Sequence, residues 1–503
     1  MAAAKILPQF PSHLKPRDVQ KNALLELERS WNKGSVFVIN LPVASGKSAI
    51  AMTIARWAKK CSIITPSKLL VNQYKDEYDN LHVLRAKSDY WCSSYDCPVS
   101  RRPQRKNMGK TCKSDLGCPG CTDYLKDLRK ARVLPYLLSN YYIYMAHKLY
   151  RDTLVVDEAH QLISTLKQMA GKKIWQHKNR FPDWVKNRDD VKKWINALPE
   201  EAFGHHFKMD NTRTYERQDL LYKLKEEINN QRPKYLIKVV TDKHQGEDDR
   251  CIVLEPLDIR NLPEGKFMWP SQVKKIVLMS ATISRKDIEQ LGLSDKKIIY
   301  IEADSPITHE RRPVVVPAEA ESLAWKLQDM NVPKLAEYIN NLATHHNDTK
   351  GLIHVTYGLA EKLRKVICDY PELQDRLILH DRKDKMVKYR EFRDSTEPKI
   401  LIASGMYEGI DLPYDAGRWQ VLAKVPWPSL ADPAIAYMAS IDEEYYAWET
   451  IKTVLQGCGR ICRTPEDFGV TYIFDSTFKR LYHQNSEFFP LWFKNSVTIE
   501  GER

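Results

Sequence analysis

Apolar residues recur at helical spacing from Val19 to Trp31, with Leu24, Leu25 and Leu27 on the apolar side, and predict an amphipathic helix. The period then changes. Ser35-Val-Phe-Val-Ile-Asn40 reads as a buried strand, a small-residue loop follows, and a second helix is expected from Ser48 to Lys60. Ser62-Ile-Ile-Thr65 is another buried strand, and strands alternating with helices in this way predict an α/β unit with a parallel sheet. From about Arg85 to Arg132 the alternation gives way to cysteines, basic residues, proline and glycine, which reads as an insertion with its own staple. It resumes at Val133–Ser139 and Thr153-Leu-Val-Val156, then breaks between about Gln161 and Pro270 into a polar, helix-forming stretch rich in Lys, Trp and Asn. Within that stretch Asp242–Arg250 reads as an exposed charged loop. Lys275-Ile-Val-Leu-Met279 returns to the first sheet, and a second α/β series beyond Pro313 carries strands at Gly351–Val355, Ile400–Ala403 and Val470–Phe474.

The expected architecture is therefore two α/β lobes with parallel sheets. Lobe 1 is assembled from residues 1–85, 133–161 and 271–310, interrupted by a Cys-rich insertion at 86–132 and a mainly helical insertion at 162–270. Lobe 2 is residues 311–503. A chain of 503 residues accommodates this, since length alone suggests roughly three or four domains. No stretch approaches the ~18–20 uninterrupted apolar residues that cross a bilayer, and the N-terminal residues lack a cleavage-site pattern behind their short apolar stretch. The expectation is a protein that is not secreted and not in a membrane, cytoplasmic or nucleoid-associated, or nuclear in a eukaryote. The net charge of +13 fits a polyanionic partner through counterion release, or equally an inert basic surface.

Candidate chemistry begins at Leu41-Pro-Val-Ala44-Ser45-Gly46-Lys47-Ser48, between an expected strand and an expected helix, the setting of a phosphate-binding loop. Backbone N–H groups and the helix N-terminus would face the phosphates, with Lys47 on the β- and γ-phosphates and Ser48 on Mg2+. The strict G-x4-GK[ST] pattern fails at its first glycine, where Leu41 stands, and Gly46-Lys47-Ser48 is intact. Leu154-Val-Val-Asp157-Glu158-Ala-His160 is a hydrophobic strand ending in two acids. Asp157 suits Mg2+ coordination through water, and Glu158 suits polarisation of an attacking water. Two acids after a strand also serve as a helix cap, but a DEAH string downstream of a GKS loop is rarely accidental, and together they predict an ATPase. His160 reads either as a buried polar residue or as a link from the nucleotide site to a strand-binding surface.

In order along nearly the whole chain, the motifs resemble the XPD/DinG-type branch of superfamily 2 DNA helicases. Pro16-Arg17-Asp-Val-Gln20 is similar to the RPxQ element, Thr65-Pro-Ser-Lys-Leu-Leu-Val-Asn-Gln73 to motif Ia, and Leu138-Ser-Asn-Tyr-Tyr142 to the segment before motif II. Ser280-Ala-Thr282 is similar to motif III, Ser305-Pro306 to the family's SPF site with Ile307 in place of Phe, and Glu408-Gly409-Ile-Asp411 to motif V. Lys424-Val-Pro-Trp-Pro428 with Asp432-Pro433 follows, and Gln456-Gly-Cys-Gly-Arg460-Ile-Cys-Arg463 resembles motif VI. Asp475-Ser-Thr departs from the family's Asp-x-Arg, with Arg480 coming later. The resemblance implies two RecA-like lobes. It assigns catalysis to Lys47, Asp157, Glu158, Gln456, Arg460 and Arg463, and ATP and Mg2+ binding to Arg17, Gln20, Ala44, Ser45, Gly46, Lys47, Ser48, Asp157, Gly409 and Asp411. Coupling and DNA contact would fall to Thr65, His160, Ser280, Thr282 and Glu408. Arg460 and Arg463 would reach across a cleft to the transferring phosphoryl group.

Five of the ten cysteines lie close together, spaced Cys92-x4-Cys97-x14-Cys112-x5-Cys118-x2-Cys121. Clustered thiols without a secretory signal point to metal or redox chemistry more than to structural disulfides. From spacing alone Cys-x2-Cys favours tetrahedral Zn2+. The resemblance implies instead a 4Fe-4S cluster on Cys92, Cys112, Cys118 and Cys121, with Cys97 as the spare or alternative ligand. Arg101, Arg102, Arg105, Lys106, Lys110 and Lys113 interleave these cysteines and read as a strand-separating basic knob or as a solvated loop. The 162–270 insertion would correspond to the family's arch, where Lys172–Lys173, Trp175, Trp184 and Trp194 either meet a strand or form core.

The expected function is a monomeric ATP-dependent DNA helicase moving 5′→3′ on single-stranded DNA and opening duplex–single-strand junctions, in repair, replication or recombination. Two other readings stay open: a related ATPase that acts on RNA or translocates without unwinding, and a non-motor, zinc-stapled nucleic-acid-binding protein.

Overall fold

The computed structural model describes residues 5–42, 45–78, 81–92, 97–99, 122–203, 212–230, 234–244, 247–260, 268–302, 305–407 and 410–502. Among them, strands β1 (Val36–Asn40), β2 (Cys61–Thr65), β3 (Trp91–Cys92), β4 (Cys97–Pro98), β5 (Tyr136–Asn140) and β6 (Thr153–Val156) precede the second insertion. Strands β7 (Lys172–Trp175), β8 (Tyr235–His244) and β9 (Glu247–Pro256) lie within it, and β10 (Lys275–Ser280) and β11 (Ile298–Glu302) follow. Lobe 1 is one six-stranded sheet in the order β11-β1-β10-β6-β2-β5, every pair parallel. Alternate residues of its strands serve opposite faces. Val36, Val38, Leu154, Val156 and Leu278 pack on one side, and Phe37, Ile39, Val155, Val277 and Met279 on the other. Burial on both faces is why these strands read as continuous apolar runs.

The sheet order positions the site. β10 lies between β1 and β6, with Asn40 opposite Ser280 and Leu278 opposite Val156. The phosphate loop, Ser280-Ala-Thr282 and Asp157–Glu158 thus leave adjacent strands at one edge, the carboxyl end where open α/β sheets bind ligands. Thr65 ends β2 and Asn140 ends β5 at the same edge.

Lobe 2 adds β12 (Val314–Val316), β13 (Gly351–Val355), β14 (Leu377–Ile378), β15 (Ile400–Ser404), β16 (Trp419–Leu422), β17 (Val470–Ile473) and β18 (Val497–Ile499). They form a parallel sheet in the order β14-β15-β13-β16-β17-β12-β18. Its strands β12, β14 and β18 carry too few residues for the sequence pattern to announce them.

Two expectations are corrected. Val133 does not begin a strand: it closes the helix Thr122–Val133, and β5 starts at Tyr136, because Pro135 lacks an N–H and the residue before it is driven from helical geometry. That helix packs Tyr124, Leu125, Leu128 and Ala131 into the same core as Val36 and Leu154, so it belongs to lobe 1. Asp242–Arg250 is not a loop, since β8 and β9 pair through this segment, Asp242 opposite Asp249 and Thr241 opposite Arg250. The second insertion, mainly helical as expected, also holds an antiparallel sheet β7-β9-β8 that faces the helices Arg188–Ala197 and Thr212–Asn229. Its polar outer residues mask a period-two pattern whose inner face, Ile237, Ile252 and Leu254, is buried. Trp194 is core, its ring tilted against Phe181, whereas Trp184 is half exposed. Cys92 is buried in the lobe 1 core, and its Cα partner across the β3–β4 hairpin is Cys97. Cys112, Cys118, Cys121 and the interleaved basic residues lie outside the described residues.

Candidate functional site

The phosphate loop turns into the helix Lys47–Ala58 at Gly46, whose φ of +69° is a left-handed conformation that a side chain disfavours. A Cβ there would also stand 2.4 Å from Gln20 Nε2. Gln20 is buried and ties two segments, accepting a hydrogen bond from the Arg17 N–H at 2.9 Å and donating to the Gly46 carbonyl at 3.2 Å. Ser45 donates to the Pro42 carbonyl at 2.6 Å and closes the loop's first turn. Ala44 lies outside the described residues.

Lys47 begins the helix with its Nζ 3.0 Å from Glu158 Oε1. Burial works against the ammonium, yet the Glu158 and Asp157 carboxylates outweigh it and hold the lysine above its usual pKa. The same partnership, against burial, holds Glu158 below the ordinary range, while burial and the neighbouring Glu158 push Asp157 up to about 6. Glu158 itself has a φ of +50°, so the chain turns sharply after the strand and aims its side chain back at the loop. Two tyrosines brace this turn, Tyr141 from the segment before motif II and Tyr74, which the sequence reading did not name. Tyr74 donates to Asp157 Oδ2 at 2.9 Å, and Tyr141 donates to the Asp157 and Glu158 carbonyls at 2.6 and 3.0 Å. Their signal was available, since each is a tyrosine on an apolar helix face whose hydroxyl must find a partner once buried.

His160 is 2.8 Å from Ser280 Oγ through Nδ1 and 3.4 Å from Glu158, and Ser280 Oγ also accepts from the Thr282 N–H at 3.0 Å. Burial pulls the imidazole down to about 4, so it is neutral at physiological pH. The structure thus brings His160, Ser280 and Thr282 together beside Glu158. Thr65 is buried, its hydroxyl donating to the Ser67 carbonyl at 3.3 Å.

From lobe 2, Arg463 pairs with Asp411 and donates to the Gly459 carbonyl at 2.8 Å, and its charge is felt at both Lys47 and Glu158. Arg460 is engaged within its own lobe, donating to the Gln456 carbonyl at 2.7 Å and the Ile410 carbonyl at 3.0 Å. It thereby splices motif VI to motif V, where Leu412 and Ile461 bridge in parallel. Gln456 lines a polar inter-lobe cleft with His160, Lys167, Glu449 and Lys452. Glu408 and Gly409 lie outside the described residues.

The lobes are joined beside this cleft by a cluster that the sequence did not flag. Asp287, fully buried on the helix Arg285–Gln290 of lobe 1, accepts from Trp448 Nε1 at 2.8 Å and pairs with Lys452 at 3.2 Å, both on the lobe 2 helix Glu443–Cys458. Lys286 pairs with Asp442 at 3.0 Å and Glu444 at 2.9 Å around it.

The residues suit a magnesium nucleotide. A left-handed glycine opens a helix N-terminus, a lysine is held by the glutamate it would release to a phosphate, and a buried aspartate lies beside them. Comparison with known proteins agrees. The helicase C-terminal domain family matches residues 344–496, and the type III restriction enzyme res subunit family matches residues 13–182. The protein named 3'-5' exonuclease DinG from Staphylococcus epidermidis is 24% identical over 253 residues, which cover 47% of this chain and 28% of that one. Its namesake from Staphylococcus aureus strain MSSA476 is 21% identical over 229 residues, 42% and 26% of the two chains. The chain thus spans about a quarter of the length of these curated relatives. S. tokodaii Xpd4 shares the fold with a TM-score of 0.55 at 14% identity, covering 96% of this chain and 100% of that one. A structure described as an XPD helicase does so at 0.56 and 13%, covering 97% and 100%. Two ordered family domains, DinG relatives and an XPD-like fold around one phosphate loop and one Asp-Glu pair make this chain similar to the XPD/DinG-type helicases of superfamily 2.

Proposed function

We propose that the protein is an ATP-dependent DNA helicase that moves 5′→3′ along single-stranded DNA and opens duplexes at single-strand junctions, acting as a monomer in repair, replication or recombination. The observation that carries this reading is the meeting of Lys47, Asp157 and Glu158 at one sheet edge with the charge of Arg463 arriving from the other lobe. An incoming γ-phosphate would draw Lys47 away from Glu158, freeing that carboxylate to orient a water. Mg2+, when bound, would neutralise charge between the β- and γ-phosphates, with Ser48 and Asp157 the residues to hold it. Arg463 would exchange Asp411 for phosphoryl oxygens as the lobes close, and Arg460 would carry that motion into motif V. Neutral His160 would report the state of Glu158 to Ser280 and Thr282, next to the strand that bears the loop.

The cysteines would hold a 4Fe-4S cluster. Support comes from the position of Cys92, buried against the lobe 1 core and immediately upstream of the segment bearing the other cysteines. ATP hydrolysis measured with single-stranded DNA and with RNA, and strand displacement from 5′- and 3′-tailed duplexes, test the motor. Stimulation by DNA and displacement of the 5′-tailed substrate are expected, whereas RNA-only stimulation or hydrolysis without displacement overturns the helicase reading. Anaerobic purification with iron, sulfide and zinc assays tests the cluster: about four irons with matching sulfide and absorption near ~400 nm are expected, and colourless protein with stoichiometric zinc overturns it.

A further inference from the structure

The Ser48 hydroxyl has neighbours that the phosphate-loop reading does not use. Glu77, the last residue of the helix Lys68–Glu77, accepts a hydrogen bond from Ser48 Oγ through Oε2 at 3.0 Å. Tyr78, next in the chain and buried, places its hydroxyl 3.0 Å from Ser48 Oγ and 3.0 Å from Glu77 Oε1. The Tyr78 ring is wedged between those of Tyr74 and His13, so the triangle is anchored to the lobe 1 core. A serine hydroxyl has one proton and two lone pairs. To ligate a cation it must turn a lone pair toward the metal and send its proton elsewhere. Glu77 is the acceptor for that proton. Tyr78 also has one proton, and two acceptors at equal distance. With one serine lone pair on a cation and the other still able to accept, it can keep donating to Ser48 or turn to Glu77, losing no hydrogen bond either way.

We propose that Glu77 is a positioning residue for the Mg2+ of the nucleotide site, accepting the Ser48 hydrogen bond so that the hydroxyl presents a lone pair, with Tyr78 as a donor that both residues can accept from. This rests on the ATPase reading and deepens it: the carboxylate that orients the metal-binding hydroxyl comes from the motif Ia helix, apart from Asp157 and Glu158. Ordering of that helix and occupancy of the metal position are then linked.

The full-length protein and its Glu77→Ala, Glu77→Gln and Tyr78→Phe variants would be titrated with the fluorescent analogue mant-ATP at Mg2+ concentrations rising from an EDTA baseline, with thermal melting recorded for each. Glu77 is exposed at a helix end, so both substitutions keep the fold. Glu77→Ala is expected to raise the Mg2+ needed for half-maximal tight binding about tenfold, the scale of a lost outer-shell partner, with affinity in EDTA unchanged. Glu77→Gln keeps an acceptor oxygen and recovers most of that loss, and Tyr78→Phe shifts the requirement less than Glu77→Ala. A Glu77→Ala protein with wild-type or lowered Mg2+ requirement overturns the proposal, the latter making Glu77 a plug. Equal weakening with and without Mg2+ overturns it too, as a general structural loss. Wild-type protein that binds no mant-ATP at any Mg2+ concentration overturns the ATPase reading itself, a result distinct from any variant-specific effect.

Discussion

Lys47 is pivotal because its charge serves two partners in turn. In the structure it neutralises a buried Asp157–Glu158 pair, and with nucleotide it would serve phosphate. Lys47→Met should therefore lower the ATPase kcat by at least about a hundredfold, as for loss of a preorganised charge in an active site. It should also lower the melting temperature in the absence of nucleotide, because the two carboxylates lose their cation. Steady-state hydrolysis and a melt of the same preparation check both. A second prediction concerns pH. His354 lies buried on β13, stacked on Tyr407, with Nε2 3.3 Å from Gln420 Oε1, and burial depresses its pKa to about 3. A depressed folded pKa means that the unfolded chain binds the proton first. Its contribution is thus fully present above the unfolded value of 6.5 and is lost as pH falls toward about 3, at up to about 1.4 kcal/mol per pH unit. Urea melts at pH 7.5 and pH 5 should show this loss, and a His354→Gln variant should show a smaller difference between the two pH values.

At the scale of elements, the parallel strands of lobe 2 touch so closely that one position is closed to any side chain. Gly351 opens β13 opposite Trp419 of β16, and a Cβ there would lie 2.2 Å from the indole ring. Gly351→Ala should cost about 1–3 kcal/mol by overpacking, seen as a reduced denaturation midpoint with an unchanged slope. The helices Arg285–Gln290 and Glu443–Cys458 meet through a buried ion pair between lobes. Asp287→Ala leaves Lys452, buried, with Glu449 at 2.6 Å as its remaining carboxylate. A loss of about 3 kcal/mol is expected. Adding Lys452→Met should restore much of it, because no buried ammonium is then left with part of its counter-charge removed. The double-mutant cycle would be read from chemical denaturation.

For the whole molecule, the two lobes meet at a cleft that carries His160, Lys167, Lys452 and Gln456, and among the described residues no helix is long and apolar enough to cross a membrane. With a net charge of +13, contact with a nucleic-acid backbone should release counterions. Binding of an oligo-dT strand should weaken steeply between low and moderate salt, log K falling linearly with log salt, and independence from salt would show that the surplus charge is not at the interface. How the cleft changes between nucleotide states is what would turn hydrolysis into motion.

Much of this was readable from residues alone, for a definable reason. Gly46-Lys47-Ser48, Asp157-Glu158 and the apolar strands before them depend on local rules: a left-handed turn needs glycine, a helix start binds phosphate, and a doubly buried strand is continuously apolar. Such features survive in a linear string. What only the tertiary structure decided depends on partners far apart in sequence. Tyr74 reaches Asp157 across 83 residues, His160 reaches Ser280 across 120, and Asp287 meets Lys452 across 165. Arg460 donates to the backbone carbonyls of Gln456 and Ile410, links that no local pattern announces. The β8–β9 hairpin was misread because its charged outer face looks like a loop until its inner face is buried. Periodicity and turn chemistry are properties of neighbours in the chain, whereas the partner of a buried hydroxyl or charge is set by which strands lie side by side, and that order is settled only when the sheet closes.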